Sequence, residues 1–133
     1  MRLSRFEEIE AWKAARQLTN DVYQATAATT FNQDHALLRQ MRAAAVSTMA
    51  NIAEDFDSAS SIEFARFLKI SRRSATELQS HLYVCIDRGY LDQPSFERLY
   101  AGCNRVKELL GGFLRYLRGA QRRTSNVERR TSS

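Results

Sequence analysis

Arg66, Lys69 and Arg73 follow one another in steps of three and four residues, which on a helix sets three cations along one stripe. Clustered cations of this kind can hold phosphate groups, with an affinity that falls steeply as salt rises. The stripe points away from the apolar line of Phe64, Ser71, Ala75 and Leu78, so it is expected at the surface. Arg39 and Arg42, further up the chain, are candidates to join it, although sequence alone does not say which face they share. The competing reading is a solvated face whose charges pair with neighbouring acids. Readers of single-stranded RNA supply aromatic platforms, and no exposed aromatic cluster stands out here, so sequence-specific recognition is not expected.

Other reactive side chains lack the company that catalysis needs. Glu77 and His81 are four apart on one helix face, enough for a hydrogen bond or half of a metal site, but no second ligand pair follows. His35 has no glutamate three residues before it, so the paired Glu-x-x-His arrangement of di-metal bundles is missing. Ser47, Ser71 and Ser74 lie inside helical stretches, where hydroxyls usually pack or bond a preceding carbonyl. The glycines are scattered and form no phosphate-binding loop. Cys85 and Cys103 both fall on apolar stripes and read as reduced core residues. A disulfide or metal pair would need spacing or ligands that are lacking. No cofactor and no enzymatic reaction is expected. Trp12 reads as a core or interface anchor. Asn51 and Glu54, at the end of a helix, are expected to bond the following link or another helix; in an intersubunit groove they would instead be ligand candidates.

The net charge of +5 suggests nucleic acid until it is located. Acids and bases balance through residue 114, and the excess comes from Arg115, Arg118, Arg122, Arg123, Arg129 and Arg130 against Glu128 alone. From Gly119 the chain is polar and nearly free of apolar residues, so residues 119–133 are expected to form a flexible basic tail after a bundle of residues 1–118. It reads either as a loose phosphate-binding arm or as a solubilising segment. No apolar run approaches the roughly 18 residues that span a bilayer, and MRLSRFEEIE lacks the apolar middle of a secretory signal. A cytoplasmic protein is expected.

These side chains must be carried by four amphipathic segments. Helix one is expected from about Phe6 to Ala28, with Ala11, Ala15, Leu18 and Val22 on its stripe. Helix two starts from Asn32 or Asp34 and runs to about Asp55; Met41, Ala45, Thr48 and Ile52 face the core, and the alanines around them let neighbouring helices approach closely. After a link over roughly 56–59, Ser60 and Glu63 have capping-box spacing. Helix three then repeats Phe64, Phe67, Ser71, Ala75, Leu78, Leu82 and Cys85 until Gly89, which is placed for a left-handed cap. Asp92 and Pro94 open helix four, with Phe96, Leu99, Cys103, Val106, Leu110, Phe113 and Leu117 inward. Gly111 and Gly112 suggest close approach of another backbone or a bend. Short links make successive helices antiparallel neighbours, so the expected fold is an all-α, up-down-up-down four-helix bundle. Surplus apolar positions, among them Ile70, Tyr83, Ile86, Tyr100, Leu109 and Leu114, point to a homo-oligomer.

FEEIEAWKAA, then QMRAAAVSTMANIAED, then FARFLKISRRSATELQSHLYVC resemble, in order and spacing, the four-helix bundle family of proteins encoded in 23S ribosomal RNA intervening sequences. The resemblance covers about residues 6–117. Its most specific parts are Phe6 with Trp12, the run from Gln40 through Arg42, Ala44 and Val46 to Asn51–Glu54, and Phe67, Leu68, Ser74, Glu77 and Leu78. The family pattern usually carries arginine where Ala43 stands, glycine where Asp55 stands and glycine where Arg73 stands. The resemblance implies a left-handed bundle that assembles as a ring-shaped pentamer. It also implies an association with ribosomal RNA inserts through gene location, and kinship with a basic accessory subunit of retroelements that binds nucleic acid and a reverse transcriptase. RNA or another nucleic acid is therefore the first implied partner, and another protein bound on the helical faces is the second.

Overall fold

The computed structural model describes residues 3–54, 56 and 61–131, with side chains from Ile62 to Gly119 in the last of these stretches. Helix α1 spans Glu10–Thr26, α2 His35–Ala53, α3 Ser61–Asp87 and α4 Gln93–Thr131. The principal contacts run α1 to α2, α2 to α3, α3 to α4 and α4 back to α1, which closes an up-down-up-down four-helix bundle. No helix among the described residues is long and apolar enough to cross a membrane.

Local chemistry explains most of the boundaries. The expected first helix is divided: Phe6–Glu8 form a 3-10 turn, Ile9 is extended at φ −72°, ψ 120°, and α1 begins after it. Ile9 is buried in the core, and the break lets Phe6 fold back to meet Trp12 edge to face at 5.1 Å. Asp34, rather than Asn32, caps α2 by accepting the Leu37 N–H at 3.2 Å. That helix stops at Ala53, two residues before the expected end. The capping Ser60 expected for α3 lies outside the described residues. Gly89 takes φ +73°, and the Tyr90 N–H reaches the Cys85 carbonyl at 2.8 Å, as a left-handed cap requires. Asp92 accepts the Ser95 N–H at 2.9 Å at the head of α4. Described side chains end at Gly119, one residue past the expected bundle boundary, while the α4 backbone stays helical to Thr131. The arginines, Gln121 and Glu128 of that stretch suit a helix, and no proline interrupts it.

The core follows the sequence stripes with one shift. Met41, Ala45, Thr48 and Ile52 are all fully buried, as are Ala15 and Val22 of α1. On α3, Leu68 is fully buried while Phe67 is only partly covered, so the inward line runs Phe64, Leu68, Ser71, Ala75, Leu78, Leu82, Cys85. The tightest of these α4 glycines is not Gly111 or Gly112 but Gly102, and what crowds it is a side chain of α1 and not a backbone. A Cβ there would lie 3.1 Å from Leu18 Cδ1, whereas at Gly111 and Gly112 it would meet only the Arg115 guanidinium, at 3.5 and 3.8 Å.

The seams between helices differ in kind. Between α2 and α3, Ser71 Oγ donates to the Thr48 carbonyl at 2.5 Å, and the Ser47 and Ser74 hydroxyls are 2.9 Å apart. Ser74 also donates to the Ile70 carbonyl, and Asn51 Nδ2 donates to Ser47 Oγ at 3.0 Å. Ser47 is thereby left to donate to Ser74, which makes a directed chain from Asn51 through both serines to Ile70. Between α1 and α2, Thr19 Oγ1 lies 2.8 Å from the Ala15 carbonyl and 3.1 Å from the Ala45 carbonyl. Every fully enclosed side-chain polar atom among the described residues has a partner.

Candidate nucleic-acid interface

Arg66, Lys69 and Arg73 sit on the outer face of α3, all exposed. The helix places them there because Leu68, Ser71 and Ala75, at intervening positions, are drawn into the core. Among the described residues none of the three makes an ion pair with a carboxylate, and neither does the adjacent, exposed Arg72. A row of unpaired, hydrated cations on a rigid helix is the electrostatic footprint that phosphates seek.

The α2 arginines do not extend this row. The pairing of Ser47 with Ser74 and of Met41 with Cys85 fixes the antiparallel offset of α2 on α3. Arg39 is exposed but therefore lies about 15–25 Å further along the bundle than the α3 cations, at 1.5 Å per residue. Arg42 faces α1. Its Nε donates to Thr26 Oγ1 at 2.9 Å and its guanidinium lies over the Tyr23 ring at 4.6 Å. Two α4 arginines, Arg115 and Arg118, are exposed at the end of the bundle that carries Arg66 and Lys69. Reading the helices one at a time misses them as partners of α3, because only the antiparallel return of α4 brings them level.

The opposite side of α4 carries the other sign. Glu8, Glu10 and Glu108 rim a groove of about 350 Å³ on the α1–α4 side, with Ile9, Leu109 and Phe113 beneath them. The same end of the bundle thus presents cations along α3 and carboxylates toward α1, an arrangement that would orient an approaching polyanion.

The remaining predicted residues have structural settings. Trp12 is nearly buried, with Phe6 at its edge and Arg16 5.8 Å from its ring centroid. Asn51 bonds back to Ser47 of its own helix, at 2.8 Å to the carbonyl and 3.0 Å to the hydroxyl. Glu54 closes α2 as its exposed last cap, its N–H on the Ala50 carbonyl. Glu77 and His81 approach to 3.4 Å. Among the described residues no three His, Cys, Asp or Glu side chains converge as a metal site would require. Burial pushes both thiols, Cys85 and Cys103, up to about 12.

The model of the 23S rRNA-intervening sequence proteins matches residues 7–112, from the 3-10 turn before α1 to the middle of α4. The chain belongs to that family. A crystal structure of an S23 ribosomal protein family member of unknown function from Bacteroides thetaiotaomicron VPI-5482 superposes with a TM-score of 0.72. It is 18% identical and the match covers 79% of this chain and 95% of the other, a likeness that shows the shared fold. No curated protein matches the chain. Ala43 is an exposed position on α2, and Arg73 is an exposed cation of the α3 stripe.

Proposed function

We propose that this chain is a non-enzymatic, cytoplasmic interaction module that assembles with copies of itself, as a pentamer, and binds RNA or another nucleic acid. The observation that carries the reading is the exposed Arg66, Lys69 and Arg73 stripe, unpaired among the described residues and joined at its end of the bundle by Arg115 and Arg118. In a ring of subunits each stripe is repeated, so phosphate contacts of modest strength sum. Contacts of this type carry little base information, so binding is expected to depend on salt more than on sequence.

The second reading is a protein-binding scaffold with no nucleic-acid role. It draws on exposed apolar side chains, Val46 of α2 and Ile62 and Val84 of α3, which would suit a protein surface. Sedimentation of the protein alone and with a structured RNA at about 50 and 200 mM salt separates the two. The nucleic-acid reading expects an RNA complex at the lower salt that weakens at the higher, survives truncation after Leu117 and is lost on joint replacement of Arg66, Lys69 and Arg73 by alanine. Absence of any complex at low salt sinks that reading and leaves the scaffold.

A further inference from the structure

Three rings meet on the α3–α4 seam. Tyr83 of α3 lies edge to face with Phe96 at 5.2 Å and with Tyr100 at 5.8 Å, and Phe96 and Tyr100 of α4 stack 5.6 Å apart with 29° between planes. Tyr83 is 51% exposed, so the cluster is seated on the bundle along one side and open to water on the other. The neighbouring Tyr83 hydroxyl holds the Tyr100 phenol above its ordinary value. A rigid, half-open aromatic surface of this kind offers faces on which unpaired bases can stack, whatever their identity.

The seam continues from the rings into positive charge. The buried Gln79 amide donates to Asn104 Oδ1 at 2.8 Å and accepts from Lys107 Nζ at 2.9 Å, which holds the Lys107 ammonium beside the platform. Tyr83, Gln79, Thr76 and Arg72 share one stripe of α3, with Arg72 about 16 Å from Tyr83 along the axis. Arg72 is exposed and makes no ion pair among the described residues. Glu97, next to Phe96, accepts a hydrogen bond from Gln93. Rings at one end, a tethered ammonium in the middle and a free guanidinium at the other suit a chain that alternates flat faces with negative charges. A duplex keeps its base faces inside the stack and cannot use the rings.

We infer that the α3–α4 seam is a track for single-stranded nucleic acid, with bases on Tyr83, Phe96 and Tyr100 and phosphates on Lys107 and Arg72. The inference rests on the nucleic-acid reading above and narrows it to an unpaired strand. The test is fluorescence anisotropy of the full chain at about 50 mM salt, with a single strand of about 12 nucleotides carrying 2-aminopurine and with a hairpin of the same length. The single strand is expected to bind at least about 5-fold more tightly than the hairpin and to lose 2-aminopurine emission on binding. Tyr83→Ala is expected to weaken it by about 5- to 100-fold, and Tyr83→Phe, which keeps the ring, to leave it unchanged. Equal affinity of Tyr83→Ala and wild type, or unquenched 2-aminopurine in the wild-type complex, overturns the inference. If the joint alanine variant of Arg66, Lys69 and Arg73 nonetheless loses the complex, the broader reading stands; no binding of either RNA removes both. A Tyr83→Ala chain that sediments as a smaller species with unaltered RNA affinity shows that the rings cover a second copy, and the track falls.

Discussion

The Arg42 guanidinium lies 4.6 Å from the Tyr23 ring centroid while its Nε donates to Thr26 Oγ1 at 2.9 Å, so this cation bridges two neighbouring turns of α1 from α2. Thr26 in turn donates to the Val22 carbonyl at 2.7 Å, which leaves its oxygen free to accept from Arg42. The arginine is thus a cross-brace of the bundle, and its charge is turned from the α3 stripe.

Replacing Arg42 by alanine removes a half-buried hydrogen bond and a ring contact together, and is expected to lower stability by about 1–2 kcal/mol. Urea denaturation reads that loss. RNA affinity should stay within about 2-fold of wild type at 50 mM salt, in contrast to Arg66→Ala, which should weaken binding and flatten its salt dependence with little effect on the urea midpoint. A stable Arg42→Ala protein with impaired RNA binding would place Arg42 in the interface after all.

Glycines of α4 give a sharper contrast. At Gly111 an added methyl group meets only a flexible guanidinium, so Gly111→Ala should raise stability by up to about 1 kcal/mol through helix propensity. At Gly102 the methyl would stand 3.1 Å from the buried Leu18 Cδ1, and a larger side chain has nowhere to go. Gly102→Leu should therefore cost about 1–3 kcal/mol by forcing α1 and α4 apart. Equal midpoints for Gly111→Ala and Gly102→Leu would contradict the close approach of those helices.

The cysteines predict an alkaline weakness. Burial is the main cause that raises both thiols from 9.0 to about 12, so between these values the unfolded chain releases protons that the folded chain retains. The folded state then binds more protons than the unfolded one, and stability falls as pH climbs from about 9 toward 12. Thermal melts across that range should show a shallower decline in a chain carrying both Cys85→Ala and Cys103→Ala. At neutral pH neither thiol should react with an alkylating reagent until denaturant is added.

Much of this architecture is visible in residue order. Asp34, Gly89, Asp92 and the line from Met41 to Ile52 are local signals, and each appears in the fold where the chemistry places it. Phe67 misleads because it and Leu68 both fit steps of three and four from neighbouring core positions, and a 100° turn of the helix decides between them. Ile9 interrupts a stretch that is helical by propensity, because burying its side chain and returning Phe6 to Trp12 outweigh one more turn. The site is less legible than the core. Its α3 cations are readable from spacing alone, but Arg42 turns toward α1 and Arg39 lies at another level. The aromatic cluster was hidden because Tyr83 and Phe96 lie on different helices. Their nearly symmetric placement about the Gly89–Asp92 turn was the available clue, since an antiparallel hairpin must bring such positions together.

The serine chain of the α2–α3 seam has a consequence for folding. Apolar faces tolerate sliding, but a slip of one turn, about 5.4 Å, would part Ser71 from the Thr48 carbonyl and Ser47 from Ser74, leaving enclosed hydroxyls unmatched. These two helices therefore recognise one alignment among several that hydrophobicity alone would accept. The hairpin of α2 and α3 carries its own ruler, against which α1 and α4 can then be measured into place.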